Sequence, residues 1–107
     1  MTKVPVRVKV HRSGGFTGID LDSEADSTRL SLEDAEELRR LVAEADLAEL
    51  VPRLSAATSS PARRDGFQYD VTVEEGRQTY QFTVYDGAVP PNVKPLLALV
   101  ARAGRRP

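Results

Sequence analysis

FQYDVTVEEGRQTYQFTVY, residues 67–85, decides the fold. Phe67, Tyr69, Val71 and Val73 alternate with Gln68, Asp70, Thr72 and Glu74. Tyr80, Phe82 and Val84 alternate in the same way with Thr79, Gln81, Thr83 and Tyr85. A period of two in aromatic and β-branched residues turns the apolar set to one face of a strand. The EEGR between the two runs is turn chemistry, so the stretch reads as a β-hairpin.

Toward the N-terminus the same period recurs. Val4, Val6, Val8 and Val10 alternate with Pro5, Arg7, Lys9 and His11, which predicts a strand with Pro5 tolerated near its start. Ser13, Gly14 and Gly15 break the run. Ile19 and Leu21 then resume it with Asp20 and Asp22, giving a second hairpin around residues 13–18.

Between the hairpins, LSLEDAEELRRLVAEADL is helical. Ser31 is a good N-cap, Asp34 stands at the capping-box position, and acidic residues fill the first turns where the helix dipole favours them. Leu32, Ala35, Leu38, Leu41, Val42 and Ala45 form one apolar stripe, and Glu36 and Arg40 are spaced for an outward ion pair. Asp46 caps a short further turn that Pro52 is expected to stop. Residues 54–66 are small and polar without periodicity and are expected to form a mobile loop. A closing helix follows Pro90 and Pro91, with Pro95 limiting how early it starts, Gly104 at its exit and residues 104–107 as a tail. The fold class is therefore α+β, in the order β-β-α-β-β-α. A four-stranded antiparallel sheet carries the long helix on one face.

Composition sets the limits on function. The 107 residues suit one domain, 1–107, and 15 basic against 16 acidic side chains give a net charge of −1. That balance argues against nucleic acid or an acidic membrane as partner, and the PARRDG and RAGRRP clusters read as solvated tails. Cysteine is absent, which removes disulfides, thiolate metal sites and a cysteine nucleophile. The N-terminal segment lacks signal-peptide features and no window is apolar enough to span a membrane, so a cytoplasmic protein is expected. The single histidine, His11, falls in phase with the lysine and arginine of its strand and supplies no metal site alone. The serines of SAATSS lack a histidine partner, and GGFTG lacks the lysine of a phosphate loop and joins strands. Glu33, Asp34, Glu36, Glu37 and Glu44 read as a solvated helix face. No enzyme activity, metal or cofactor is expected.

Binding remains. Gly14 and Gly15 let a partner approach the backbone closely. Phe16 either folds under the hairpin as core or stands as an apolar anchor beside bare backbone.

RSGGFTGI, the acidic helix LSLEDAEELRRLVAEADL, the strand FQYDVTV and the closing AVPPNVKPLL together resemble the emfourin family, over roughly residues 6–100. The resemblance implies a helix-on-antiparallel-sheet fold. It also implies a bacterial inhibitor of thermolysin-like, protealysin-like zinc metallopeptidases, with the zinc belonging to the enzyme. No inhibitory residue transfers from the family, so the site is inferred physically as Arg12, Ser13, Gly14, Gly15, Phe16, Thr17, Gly18 and Ile19. Gly14 and Gly15 would be slim backbone in the cleft, and Phe16 or Ile19 the side chain for the pocket beside the zinc. The oligomeric state stays open, with a monomer favoured, and dimerisation through a strand edge is not decided by the sequence. A non-inhibitory interaction module of the same fold is the main alternative, and an enzyme with a small-molecule site between helix and sheet is a second.

Overall fold

The computed structural model describes residues 4–14, 21–56, 67–85 and 89–104. Its elements are β1 (Val6–Gly14), β2 (Leu21–Asp26), α1 (Leu32–Ala45), α2 (Leu47–Ala56), β3 (Phe67–Glu75), β4 (Gln78–Tyr85) and α3 (Lys94–Ala103). The four strands form one antiparallel sheet in the order β2-β1-β3-β4. Both expected hairpins are present, and β1 joins them by pairing with β3 from Val6↔Glu75 to Gly14↔Phe67.

Alternation does what the sequence requires of it. Val6, Val8 and Val10 on β1, Val71 and Val73 on β3, and Phe82 and Val84 on β4 are buried in a single core. The intervening Arg7, Lys9, Asp70, Thr72, Gln81 and Thr83 lie on the opposite, open face. The β3–β4 turn is as tight as EEGR suggests: Glu75 pairs with Gln78, leaving Gly76 and Arg77 to turn the chain, with Gly76 at φ 61°. Pro5 sits one residue before β1, where its carbonyl accepts the Gly76 N–H at 3.1 Å. At the same end of the sheet, on the other side of β1, the buried Ser27 closes the β1–β2 ladder. Its N–H donates to the Val6 carbonyl (2.9 Å) and its hydroxyl oxygen accepts the Val6 N–H (3.0 Å).

The helical layer differs from expectation. No single long helix covers the sheet; α1 has 14 residues, and α2 and α3 have 10 each. The reason is width. Four strands at roughly 4.8 Å spacing exceed what one helix about 10 Å across can cover. Accordingly α2 lies against β4, α3 lies against β1 and β2, and α1 packs across both of the other helices. Leu38, Leu41, Val42 and Ala45 of α1 and Val93, Leu96, Leu99 and Val100 at α3 belong to the same core as the strand valines.

The element order is thus ββααββα. Asp46, at φ 51° and ψ 60°, is the one described non-glycine residue in the left-handed region, and it divides α1 from α2. Its carbonyl accepts the N–H groups of Glu49 and Leu50, so the next helix starts at once. Pro52 does not stop that helix but lies inside it, and the helix takes in residues 54–56 of the segment expected to be a loop. Burial of Leu47 on the core outweighs the one hydrogen bond that the proline forfeits. Residues 57–66 and 105–107 lie outside the described residues.

Helix α1 begins as expected, with the Ser31 side chain accepting the Asp34 N–H at 3.2 Å. Leu32 is a correction to the apolar stripe, being 75% exposed. Arg40 pairs with Glu44 at 3.1 Å and Glu37 at 3.9 Å. The acidic helix face is also not purely solvated, because Arg102 of α3 reaches Asp34 and Glu37, each at 3.6 Å. Pro95 occupies the first turn of α3, where a missing N–H costs least.

Candidate functional site

The site expected at residues 12–19 is rooted at the end of β1 and β2. Arg12↔Leu21 is the last described pair of that hairpin, and Gly14↔Phe67 the last pair of β1 with β3. Gly15, Phe16, Thr17, Gly18 and Ile19 lie outside the described residues. Arg12, Ser13 and Gly14 are described, and the structure gives them different roles.

Ser13 is half-buried on the open face, directly opposite Gln68. Gly14 is exposed at φ 89°, a conformation that side chains with a Cβ rarely adopt, so its identity is dictated by the backbone path. Arg12 does not point to the open face. It is in phase with Val6, Val8 and Val10, and its guanidinium stacks on Phe67, 4.5 Å from the ring centroid. Gly14, the direct partner of Phe67, has no side chain to cover that ring, and Arg12 takes the place instead. The buried Arg12 Nε makes no hydrogen bond among the described residues, which is consistent with a group held by stacking and packing. This role was legible in the alternation, which puts residue 12 on the valine side.

A second brace crosses the open face. His11 lies directly opposite Asp22 on β2 and Asp70 on β3, and its Nδ1 is hydrogen-bonded to Asp22 Oδ1. Asp70 in turn accepts from Thr83 Oγ1 at 2.8 Å and Gln68 Nε2 at 3.1 Å. The hairpin root is therefore tied to β3 by a cation–ring contact on one face, and its two strands by a side-chain hydrogen bond on the other. Farther along the same face, Arg7 donates to Glu74 at 2.6 Å. That contact raises the Arg7 pKa and lowers that of Glu74.

Two hollows among the described residues bear on the catalytic alternative. Between sheet and α3 the described residues leave about 70 Å³, lined by Val10, Arg12, Leu21, Tyr69, Leu97 and Val100 among others. A hollow of about 320 Å³ on the open face is lined by Lys9, His11, Asp22, Glu24, Asp70 and Thr72 among others; of these, Lys9 pairs with Glu24 and His11 with Asp22, and Asp70 accepts from Thr83 beside it. Among the described residues no three ligating side chains cluster as a metal site, and no helix is long and apolar enough to cross a membrane.

Comparison with curated proteins and with solved structures finds no match. The Emfourin family model matches residues 10–101, a span that begins within β1, takes in β2, α1, α2, β3 and β4, and ends in α3. Because that match covers most of the chain, this protein belongs to the Emfourin family.

Proposed function

We propose that this chain inhibits a thermolysin-like, protealysin-like zinc metallopeptidase by seating the end of its β1–β2 hairpin, residues 12–19, at the active-site cleft. Emfourins are inhibitors of metallopeptidases and not enzymes, and membership carries that general role. The specific target class and the site are the inference made here.

The observation that carries the site is the doubly braced hairpin root. An inhibitory segment that enters a protease cleft must hold one shape, because a segment free to relax binds weakly and is cleaved. Stacking of Arg12 on Phe67 and the His11–Asp22 bond limit that relaxation at both faces of the root. Gly14 supplies backbone without side-chain bulk where the segment departs. Phe16 or Ile19 is then the apolar group for the pocket beside the enzyme's zinc, a natural hot spot. In this reading Arg12 positions the segment and does not touch the enzyme. We place the protein in the bacterial cytoplasm, with its oligomeric state open and a monomer favoured.

Peptide hydrolysis by a thermolysin-type peptidase, titrated with this protein, tests the reading. Saturable inhibition that is lost in Phe16→Ala, with the fold intact by circular dichroism, is the expected result. Inhibition unchanged by Phe16→Ala and Ile19→Ala would move the contact to another surface. No inhibition of a cognate enzyme at micromolar excess would leave a non-inhibitory interaction module.

A further inference from the structure

We propose that β4 is a self-association edge, through which two copies of this chain pair antiparallel to continue the sheet from four strands to eight. The argument is independent of the inhibitory reading and starts from which backbone groups each sheet edge leaves unpaired among the described residues.

The Gly76 N–H bonds to the Pro5 carbonyl, one step beyond the Val6↔Glu75 pair. In an antiparallel ladder both backbone groups of a residue point the same way, and direction alternates along the strand. The even-numbered residues of β3 therefore bond toward β1, and its odd-numbered residues bond toward β4. Val73 and Val71 exchange hydrogen bonds with Tyr80 and Phe82, their register partners. Thr79, Gln81, Thr83 and Tyr85 are left with N–H and C=O groups directed outward. The other edge follows from the Ser27 N–H bonding to the Val6 carbonyl. It makes Asp22, Glu24 and Asp26 the outward-directed residues of β2.

The two edges differ in the property that controls self-pairing. Edge strands are normally protected by charge, proline or a bulge. β2 has this protection, since antiparallel pairing with its own copy sets carboxylates against carboxylates. β4, QTYQFTVY, has no charged residue, proline or glycine in eight positions. Gln78, Thr79 and Gln81 are exposed, and Thr83 and Tyr85 half-buried. A two-fold axis through Phe82 puts Thr79 opposite Tyr85 of the second copy and Gln81 opposite Thr83. These pairs hydrogen-bond on the open face with no like-charge conflict. On the helix side, Phe82 meets its own copy and Tyr80 meets Val84. This register, like any with the two-fold axis on a residue of β4, sets the outward-directed residues opposite each other, as hydrogen-bonded pairing demands. The occupant is a second copy because the strand is complementary to itself.

An edge contact of this length buries less than the roughly 1,200 Å² of a stable interface, so the dimer is weak, with a dissociation constant on the order of 100 µM. Sedimentation equilibrium of the full chain over a wide concentration range, combined with amide hydrogen exchange, tests the proposal. The expected result is a monomer–dimer equilibrium with amide protection at Thr79, Gln81, Thr83 and Tyr85 that grows with concentration. Gln81→Lys, an exposed change that leaves the β3 ladder intact, weakens the dimer at least about tenfold. Glu24→Gln on the far edge leaves it unchanged. A monomer at every concentration up to about 1 mM overturns the proposal. So does a dimer indifferent to Gln81→Lys, one that protects Asp22, Glu24 and Asp26 instead, or protection at β4 that arises only when a peptidase is added.

Discussion

Arg12 stacks on Phe67 at 4.5 Å, joining the last turn-ward residues of β1 to the first residue of β3. The contact spans a long separation in sequence, yet it lies beside the segment proposed to enter the protease. Arg12→Ala removes it together with the packing of the arginine stem. The expected loss is about 1 kcal/mol of stability in urea denaturation, with weaker inhibition. Arg12→Lys recovers part of both, because a lysine keeps the charge but not the planar stack. An Arg12→Ala protein that loses inhibition with no loss of stability would instead make Arg12 an enzyme contact.

Glycine at 104 is required by contact and glycine at 76 by conformation, and the two should respond differently to alanine. A Cβ at Gly104 would come 2.3 Å from the Val100 carbonyl oxygen and 2.9 Å from that of Glu24, both fixed backbone atoms. At Gly76 it would meet only the Val4 side chain at 2.8 Å, which is exposed and free to swing aside. Gly76→Ala then pays mainly for its positive φ, about 1 kcal/mol. Gly104→Ala is expected to cost more, although its φ of −74° is ordinary. Thermal melts of the two variants decide the order.

Pro52 inside α2 withholds a hydrogen bond from the carbonyl four residues back and is itself exposed. Pro52→Ala restores that bond and raises helix propensity, so it is expected to stabilise the protein by on the order of 1–3 kcal/mol. Denaturant midpoints measure the gain. No gain would mean that the helix is bent around the proline in a way alanine does not reproduce.

Acid stability depends in part on Asp26. Its Oδ1 accepts the Thr28 hydroxyl at 2.7 Å and the Thr28 N–H at 2.9 Å, and the first of these does most to hold the carboxyl below the usual aspartate range. A folded pKa below the unfolded one gives stability that is complete above about pH 4 and is lost as pH falls through the folded value. Thr28→Val removes the hydroxyl donor. The melting temperatures of the native and variant proteins should differ near pH 6 and converge as the acid limb is descended. A constant difference across pH would assign the loss to packing alone.

Much of the fold was readable because it is local. Alternating valines, the tight EEGR connection, the Ser31 cap and the stripe from Ala35 to Ala45 each place a residue by its immediate neighbours, and all are present. The errors came where a local rule met a nonlocal gain. Pro52 and residues 54–56 are helical because α2 packs on β4, a contact no window of sequence contains. Arg12 shows the opposite case, since the period of two already assigned it to the valine side while its charge argued for solvent.

By itself the sequence determined the strands, the two hairpins, the start of α1 and the family resemblance, since each rests on residues within one segment. Only the tertiary structure decided that β1 pairs with β3, which makes β2 and β4 the edges and brings Arg12 to Phe67 and His11 between Asp22 and Asp70. Those relations depend on hydrogen bonds and packing between residues far apart in the chain. Their formation is favoured by burying one shared core, and local propensity carries no record of them.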